Sequence, residues 1–356
     1  MWKVVDSWIN RYFADEEAVL LIIMMALALL VIVTMGQVLA PFLAAVVLAF
    51  LLQGVVNLLK RWRVPHLLAV ALVFSAFISL FLLVVVFLFP IVIEQMSRLL
   101  KEVPGMIVHW QEAVLLLPER YPHLISEARL GEFIAYVQQE SAQFAEAALG
   151  VSMGIFPGLV MVLIYLVLVP LLVFFMLKDR DELMQSTASL LPERRPVMKQ
   201  VWGEMTIQIA NYVRGKAIEV ILVGASTYIW FVLLGVNYAA LLALMVGLSV
   251  VIPYVGAAVV TVPVVLVGLF QWGWGGDFFW LFFAYSVIQF IDGNVLVPLL
   301  FSEAVNLHPI LIILAVLVFG GLWGLWGVFF AIPLATLVKA LYNAWPRNEV
   351  PELLSE

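Results

Sequence analysis

The sequence predicts an all-α, polytopic membrane protein of about eight helical segments, with broken or re-entrant helices in its C-terminal half. Three observations carry that prediction. Of 356 residues, 65% are apolar and only 12% charged, with a mean hydropathy of +1.11. A soluble domain runs nearer half apolar and a quarter charged, and so few charges would leave apolar patches that soluble monomers avoid. The charges are also gathered between long uncharged runs, of which residues 18–59 and 220–276 are the longest. Finally, Pro253, Pro263 and the Gly320-Gly321 pair interrupt the later runs.

Each run is measured against the roughly 20 residues that a helix needs to cross about 30 Å of hydrocarbon. Residues 18–59 are long enough for two spans, about 18–35 and 39–59, separated by Gly36, Gln37 and Pro41. One long span follows at about 66–90, and the three together form an N-terminal unit, 1–93. Residues 94–152 carry eight acidic and four basic side chains, with Pro104, Pro118 and Pro122 spacing short helices. Within them Phe133, Val137, Phe144 and Ala148 recur at helical spacing, which predicts an amphipathic helix. A span at 153–177 leads to a polar segment, 178–216, with seven basic side chains. Its Met198, Val201, Trp202, Met205, Ile209, Tyr212 and Val213 form an apolar stripe. That stripe suits either the membrane surface or the end of a neighbouring helix.

The membrane core is expected at 217–340, ahead of a tail at 341–356. It begins with a span at 217–236 and continues with an apolar stretch to Phe270 broken at Pro253. A run at 278–300 then contains Asp292, and a last run at 304–338 is cut near Gly320. Lysine and arginine set orientation. Lys60, Arg61 and Arg63 mark a cytoplasmic loop, residues 94–152 fall outside, and residues 178–216 with Lys339 and Arg347 return inside. Both termini are then cytoplasmic, and residues 217–338 must cross an even number of times. Eight helical segments satisfy this, as do six full spans with two re-entrant hairpins.

Several function classes are excluded. The net charge of −6 gives no footprint for nucleic acid. With no cysteine, there are no disulfides, thiolate nucleophiles or Cys-ligated metals. No two of His66, His109, His123 and His308 stand at metal-motif spacing, so no metal or other cofactor is expected. No P-loop, H-E-x-x-H or G-x-S-x-G occurs, and the chain does not read as an enzyme. The first apolar run follows four acids, unlike the basic start of a cleaved signal peptide, and is expected to be retained as a span.

The motifs IPYVG (252–256), IDGNVLVP (291–298), LHP (307–309) and FGGLWGLWGVFFAIPLATLVKA (319–340) occur together, with FFMLKDRDE (174–182) and YVRGK (212–216) before them. In combination the chain resembles the autoinducer-2 exporter family, and within it the PerM-type permeases of Gram-negative bacteria, over essentially its whole length. The resemblance implies a bacterial inner-membrane protein that forms a homo-oligomer. It implies export of a small hydrophilic signalling molecule in some members and cation–proton exchange in others.

Between Glu219 and Lys339 no basic residue occurs, and only Asp277, Asp292 and Glu303 are acidic. Asp277 lies in WGWGGD beside Trp272 and Trp274 and reads as an interfacial turn. Asp292 lies well inside a span, where a carboxylate costs at least about 2.5 kcal/mol unless it pairs, neutralises or meets water. It either binds a proton, cation or polar substrate, with Gln289 and Asn294 as neutral partners, or caps a helix break at Gly293. Pro253, Tyr254 and Gly256 interrupt an apolar helix, and broken helices expose backbone groups at transport sites; a plain kink is the alternative. Glu303 and His308 form a polar break, with His308 either gating a proton path or capping a helix. Gly320, Gly324 and Gly327 suit close helix packing. The reading is a secondary transporter of a small polar solute driven by a proton or sodium gradient. The alternatives are a cation/proton antiporter, a passive channel, or a membrane scaffold whose external insert binds an envelope partner.

Overall fold

The computed structural model describes residues 16–115, 155–189, 191–192, 195–253, 255–301 and 307–344. Among them every regular element is helical. Seven helical segments are long and apolar enough to cross a membrane, or eight if a pair bent by 80° at Asp179 counts as one more.

Helix α1 (Glu16–Arg61) carries two apolar windows, Val19–Gly36 and Val38–Arg61. The expected break at Gly36–Pro41 is not an interruption of the helical assignment, because Pro41 removes only one backbone donor. The run is nevertheless bent. Near its start Glu17 accepts a hydrogen bond from the backbone of Met198, and further on Gly54 lies against Arg214. Those contacts are about 24 Å apart along a helix that holds both partners, whereas a straight α1 would separate its own two points by about 55 Å.

Helix α2 (His66–Leu83) passes through a π-helical turn, Val84–Leu88, into α3 (Phe89–Leu115). The helix of the span expected at 66–90 therefore continues past residue 90, and Pro104 does not separate two short helices as expected. The amphipathic helix around Phe133 lies outside the described residues. Helix α4 (Ile155–Lys178) packs with α2 and the second half of α1 around Ala45, Val56, Val70 and Val173. After α5 (Arg180–Ser189), α6 (Pro196–Leu233) runs unbroken from the basic segment into the membrane. Its stripe packs on neighbouring helix ends: Val201 and Met205 cluster with Ala340 and Leu21, while Trp202 points outward.

The C-terminal half contains two helical hairpins. Helix α7 (Ala239–Ser249) and helix α8 (Val255–Trp272) are separated by non-helical residues around Pro253. Gln271, near the end of α8, accepts from the Asn237 N–H at 2.7 Å and donates to the Gly235 carbonyl at 2.6 Å. The start of α7 and the end of α8 thus lie at one level, and the chain turns back rather than crossing. With 11 residues α7 rises only about 16 Å.

Next come α9 (Gly276–Ile291), a π-helical turn at Asp292–Leu296, and α10 (Val297–Phe301). Helix α11 (Pro309–Ala344) contains one residue with non-helical angles, Gly324 at φ 60° and ψ −138°. A Cβ on Gly327 would stand 1.8 Å from the Phe319 carbonyl oxygen. Residues eight apart in a straight helix are about 12 Å apart, so α11 doubles back here. The Gly320–Gly327 series serves this turn rather than a packing face between separate helices. The hairpins enter from opposite ends of α6: the first opens beside its C-terminal loop, and the second has Ala340 beside Val201 and Met205.

Candidate functional site

Among the described residues, the strongest concentration of buried charge lies where the first hairpin tip meets α6. Lys216 and Glu219 sit one turn apart on α6, 5% and 1% exposed. The Lys216 ammonium is 2.8 Å from a Glu219 carboxylate oxygen. It also donates to the Val250 carbonyl at 2.7 Å and lies 5.1 Å from the centre of the Phe301 ring. Val250 has a free carbonyl because α7 ends beside it, and the last carbonyls of a helix have no partner within it. The broken helix therefore exposes a backbone acceptor, and a lysine from another helix fills it.

Asp292 opens the π-helical turn after α9 and is 8% exposed, turned into the protein within electrostatic reach of Lys216 and Glu219. Its Oδ1 is buried and has no hydrogen-bond partner. π-Helical turns in α-helices recur at functional sites, and an unpartnered buried carboxylate oxygen calls for a ligand or a proton. One ammonium and two carboxylates leave the cluster one positive charge short of neutrality.

The structure separates the neutral residues that the sequence grouped with Asp292. Gln289 donates to the Tyr285 hydroxyl at 3.0 Å, which also bonds the Thr261 hydroxyl at 2.8 Å, a polar chain linking α9 to α8. Asn294 is exposed and donates back to the Phe290 carbonyl of its own helix. Neither amide is bonded to Asp292. Pro253 lies in the hairpin turn. Gly256 opens α8 with its Cα so close to the end of α7 that a Cβ would stand 1.8 Å from the Ser249 carbonyl oxygen. Tyr254 and Glu303 lie outside the described residues. His308 is exposed, and its Nδ1 accepts the Ile310 N–H at 3.3 Å, the geometry of a cap on α11. Asp277 is exposed in the first turn of α9.

Lys216 and Glu219 were not singled out from the sequence. The signal was present, since their i, i+3 spacing continues the face of Tyr212, Val213 and Val223, all buried. Among the described residues no three His, Asp or Glu side chains stand together as a metal site.

A family model, AI-2E family transporter, matches residues 20–347. The chain is 43% identical to "Putative permease PerM" of Escherichia coli (strain K12), over 99% of its own length and 100% of that relative. It is 26% identical to "Putative transport protein YueF" of Bacillus subtilis, over 85% and 82% of the two chains. It is 24% identical to "AI-2 transport protein TqsA" of Escherichia coli (strain K12), over 94% and 95%. With helical hairpins, apolar spans and a buried charged cluster already in view, these matches place the chain in the AI-2E transporter family, as a multi-pass membrane permease.

Proposed function

We propose that this permease is a secondary transporter that exports a small hydrophilic solute, coupled to the inward movement of a single monovalent cation, a proton or sodium. The observation that carries the reading is the Lys216–Glu219–Asp292 cluster. Buried charges are retained only when paired or solvated. Here one carboxylate has an ammonium and the other has an oxygen with no partner. One bound cation neutralises the group, which gives the cluster room for one coupling ion. The Lys216 bond to Val250 ties the α7–α8 turn to the site, so a change of charge in the cluster acts directly on that turn. The outward direction rests on the family resemblance, and the name of TqsA suggests autoinducer-2 as the first solute to test. The same reading puts both termini in the cytoplasm of a bacterial inner-membrane homo-oligomer, on the lysine and arginine distribution and the resemblance.

The test is autoinducer-2 flux in proteoliposomes under an imposed proton or sodium gradient. The unmodified protein should move the solute only with a gradient. Asp292→Asn should assemble normally and lose gradient dependence, while Asp292→Glu should keep part of it. Full gradient-driven transport by the Asn variant would remove Asp292 from coupling. If sodium alone drives proton flux without solute, the chain is a cation/proton antiporter instead. Absence of both fluxes would favour the scaffold reading.

A further inference from the structure

We infer that the groove between the C-terminal part of α1 and α6 is a binding site for the phosphate of an anionic phospholipid, independent of the transport reading. A cavity of about 480 Å³ lies there. Its polar lining consists of Arg61, Arg214 and Asn57, and no carboxylate borders it. The apolar part of the wall includes Val55, Leu58 and Ile218, all exposed on the outer faces of their helices.

Both guanidiniums are exposed, and neither is engaged by a carboxylate among the described residues. The Arg214 guanidinium lies against α1, where Gly54 has no side chain: a Cβ there would be 3.3 Å from Nη2. Its central carbon lies 6.0 Å from the Phe50 ring centre. The absent side chain at Gly54 lets the guanidinium lie against the helix in the wall of the groove, where its fork of donors matches phosphate. Asn57 uses its carbonyl oxygen on Gln53 at 2.8 Å, which leaves its amide N–H groups for the same anion.

Two cations without a counter-charge, beside an apolar wall, are complementary to a headgroup phosphate with acyl chains lying over Val55, Leu58 and Ile218. Basic pockets between membrane helices at the cytoplasmic surface recognise lipid headgroups in this way. Arg61, in the last turn of α1, belongs to the Lys60–Arg63 group that marks this end as cytoplasmic. A soluble phosphate would use the arginines and leave the apolar wall bare, so lipid is the occupant proposed.

The test is native mass spectrometry of the full chain in detergent. Phosphatidylglycerol, phosphatidylcholine of the same acyl chains and inorganic phosphate are offered separately. Phosphatidylglycerol should be retained about tenfold or more over phosphatidylcholine, since both basic side chains favour an anionic lipid. Arg61→Gln and Arg214→Gln should each reduce that preference and together abolish it, and Arg214→Lys should keep part of it. Equal retention of the two lipids by the unmodified protein would overturn the site, whatever the variants do. So would an unchanged preference in the Arg61→Gln variant, whose substitution lies at a helix end and leaves the packing in place. Retention of inorganic phosphate equal to that of the lipid would reassign the groove to free anions.

Discussion

The Tyr212 hydroxyl on α6 donates to the Phe329 carbonyl on α11 at 2.9 Å, and Pro333 is the reason that carbonyl is free. In a regular helix the N–H of residue 333 would bond the carbonyl of residue 329, and proline has none to offer. Tyr212, 2% exposed, supplies the missing donor from the neighbouring helix. Tyr212→Phe should therefore destabilise the protein by about 1–3 kcal/mol through an unpaired buried carbonyl. In a Pro333→Ala background the helix regains its own donor, and the same substitution should cost clearly less. Thermal unfolding of the four proteins in detergent checks this, and equal costs in both backgrounds would refute it.

Lys216→Met should be the more damaging change at the charged cluster. It leaves Glu219 buried without its ammonium and frees the Val250 carbonyl, and breaking one side of a buried pair costs about 3–5 kcal/mol. Adding Glu219→Gln should restore part of the loss, because Asp292 is then the only carboxylate left in the cluster. Melting temperatures should rank unmodified protein, double variant and Lys216→Met in descending order.

The two hairpin turns depend on glycine in one way. A Cβ at Gly256 or Gly327 would meet backbone carbonyl oxygen at 1.8 Å, whereas a Cβ at Gly203 meets nothing within 4 Å. Gly256→Ala and Gly327→Ala should each lower the melting temperature by several degrees, on the order of 2 kcal/mol or more of strain. Gly203→Ala, on an open helix face, should be neutral or raise stability by up to about 1 kcal/mol.

At the open end of the first hairpin, away from its tip, Tyr238 has left-handed backbone (φ 59°) and its hydroxyl bonds the Glu102 carboxylate on α3. Burial and that bond push the Tyr238 hydroxyl up to about 12 from its ordinary value of 10.0. The folded value lies above the unfolded one, so this tie contributes fully below pH 10 and is lost as pH rises toward 12. Tyrosine absorbance should show a late-titrating group in the unmodified protein that is missing from Tyr238→Phe.

Membrane segments were legible because hydrophobic run length is a local property, and the breaks at Pro253 and near Gly320 because proline and glycine act where they stand. Whether a broken run crosses or returns was not legible. The Gln271 bonds to Gly235 and Asn237 decide it for the first hairpin, and they join residues more than 30 positions apart. Asp292 was found because a lone acid in an apolar run is conspicuous. Asn294 was grouped with it by sequence proximity, but residues two apart on a helix do not share a face. Lys216 went unnoticed for the opposite reason: among seven basic residues of one segment it reads as loop charge, until α6 carries it past the boundary into the core.

That unbroken course of α6 makes it a lever. Its 38 residues extend about 57 Å, and about 30 Å of that lies on the N-terminal side of Lys216. If the rod pivots about the level of Lys216, a tilt of about 4° swings the Met198 end by about 2 Å, an amplitude typical of interfacial helix shifts. Because α1 and α11 grip that end and the charged cluster sits at the fulcrum, a load on the basic segment is felt as torque at the buried ion pair.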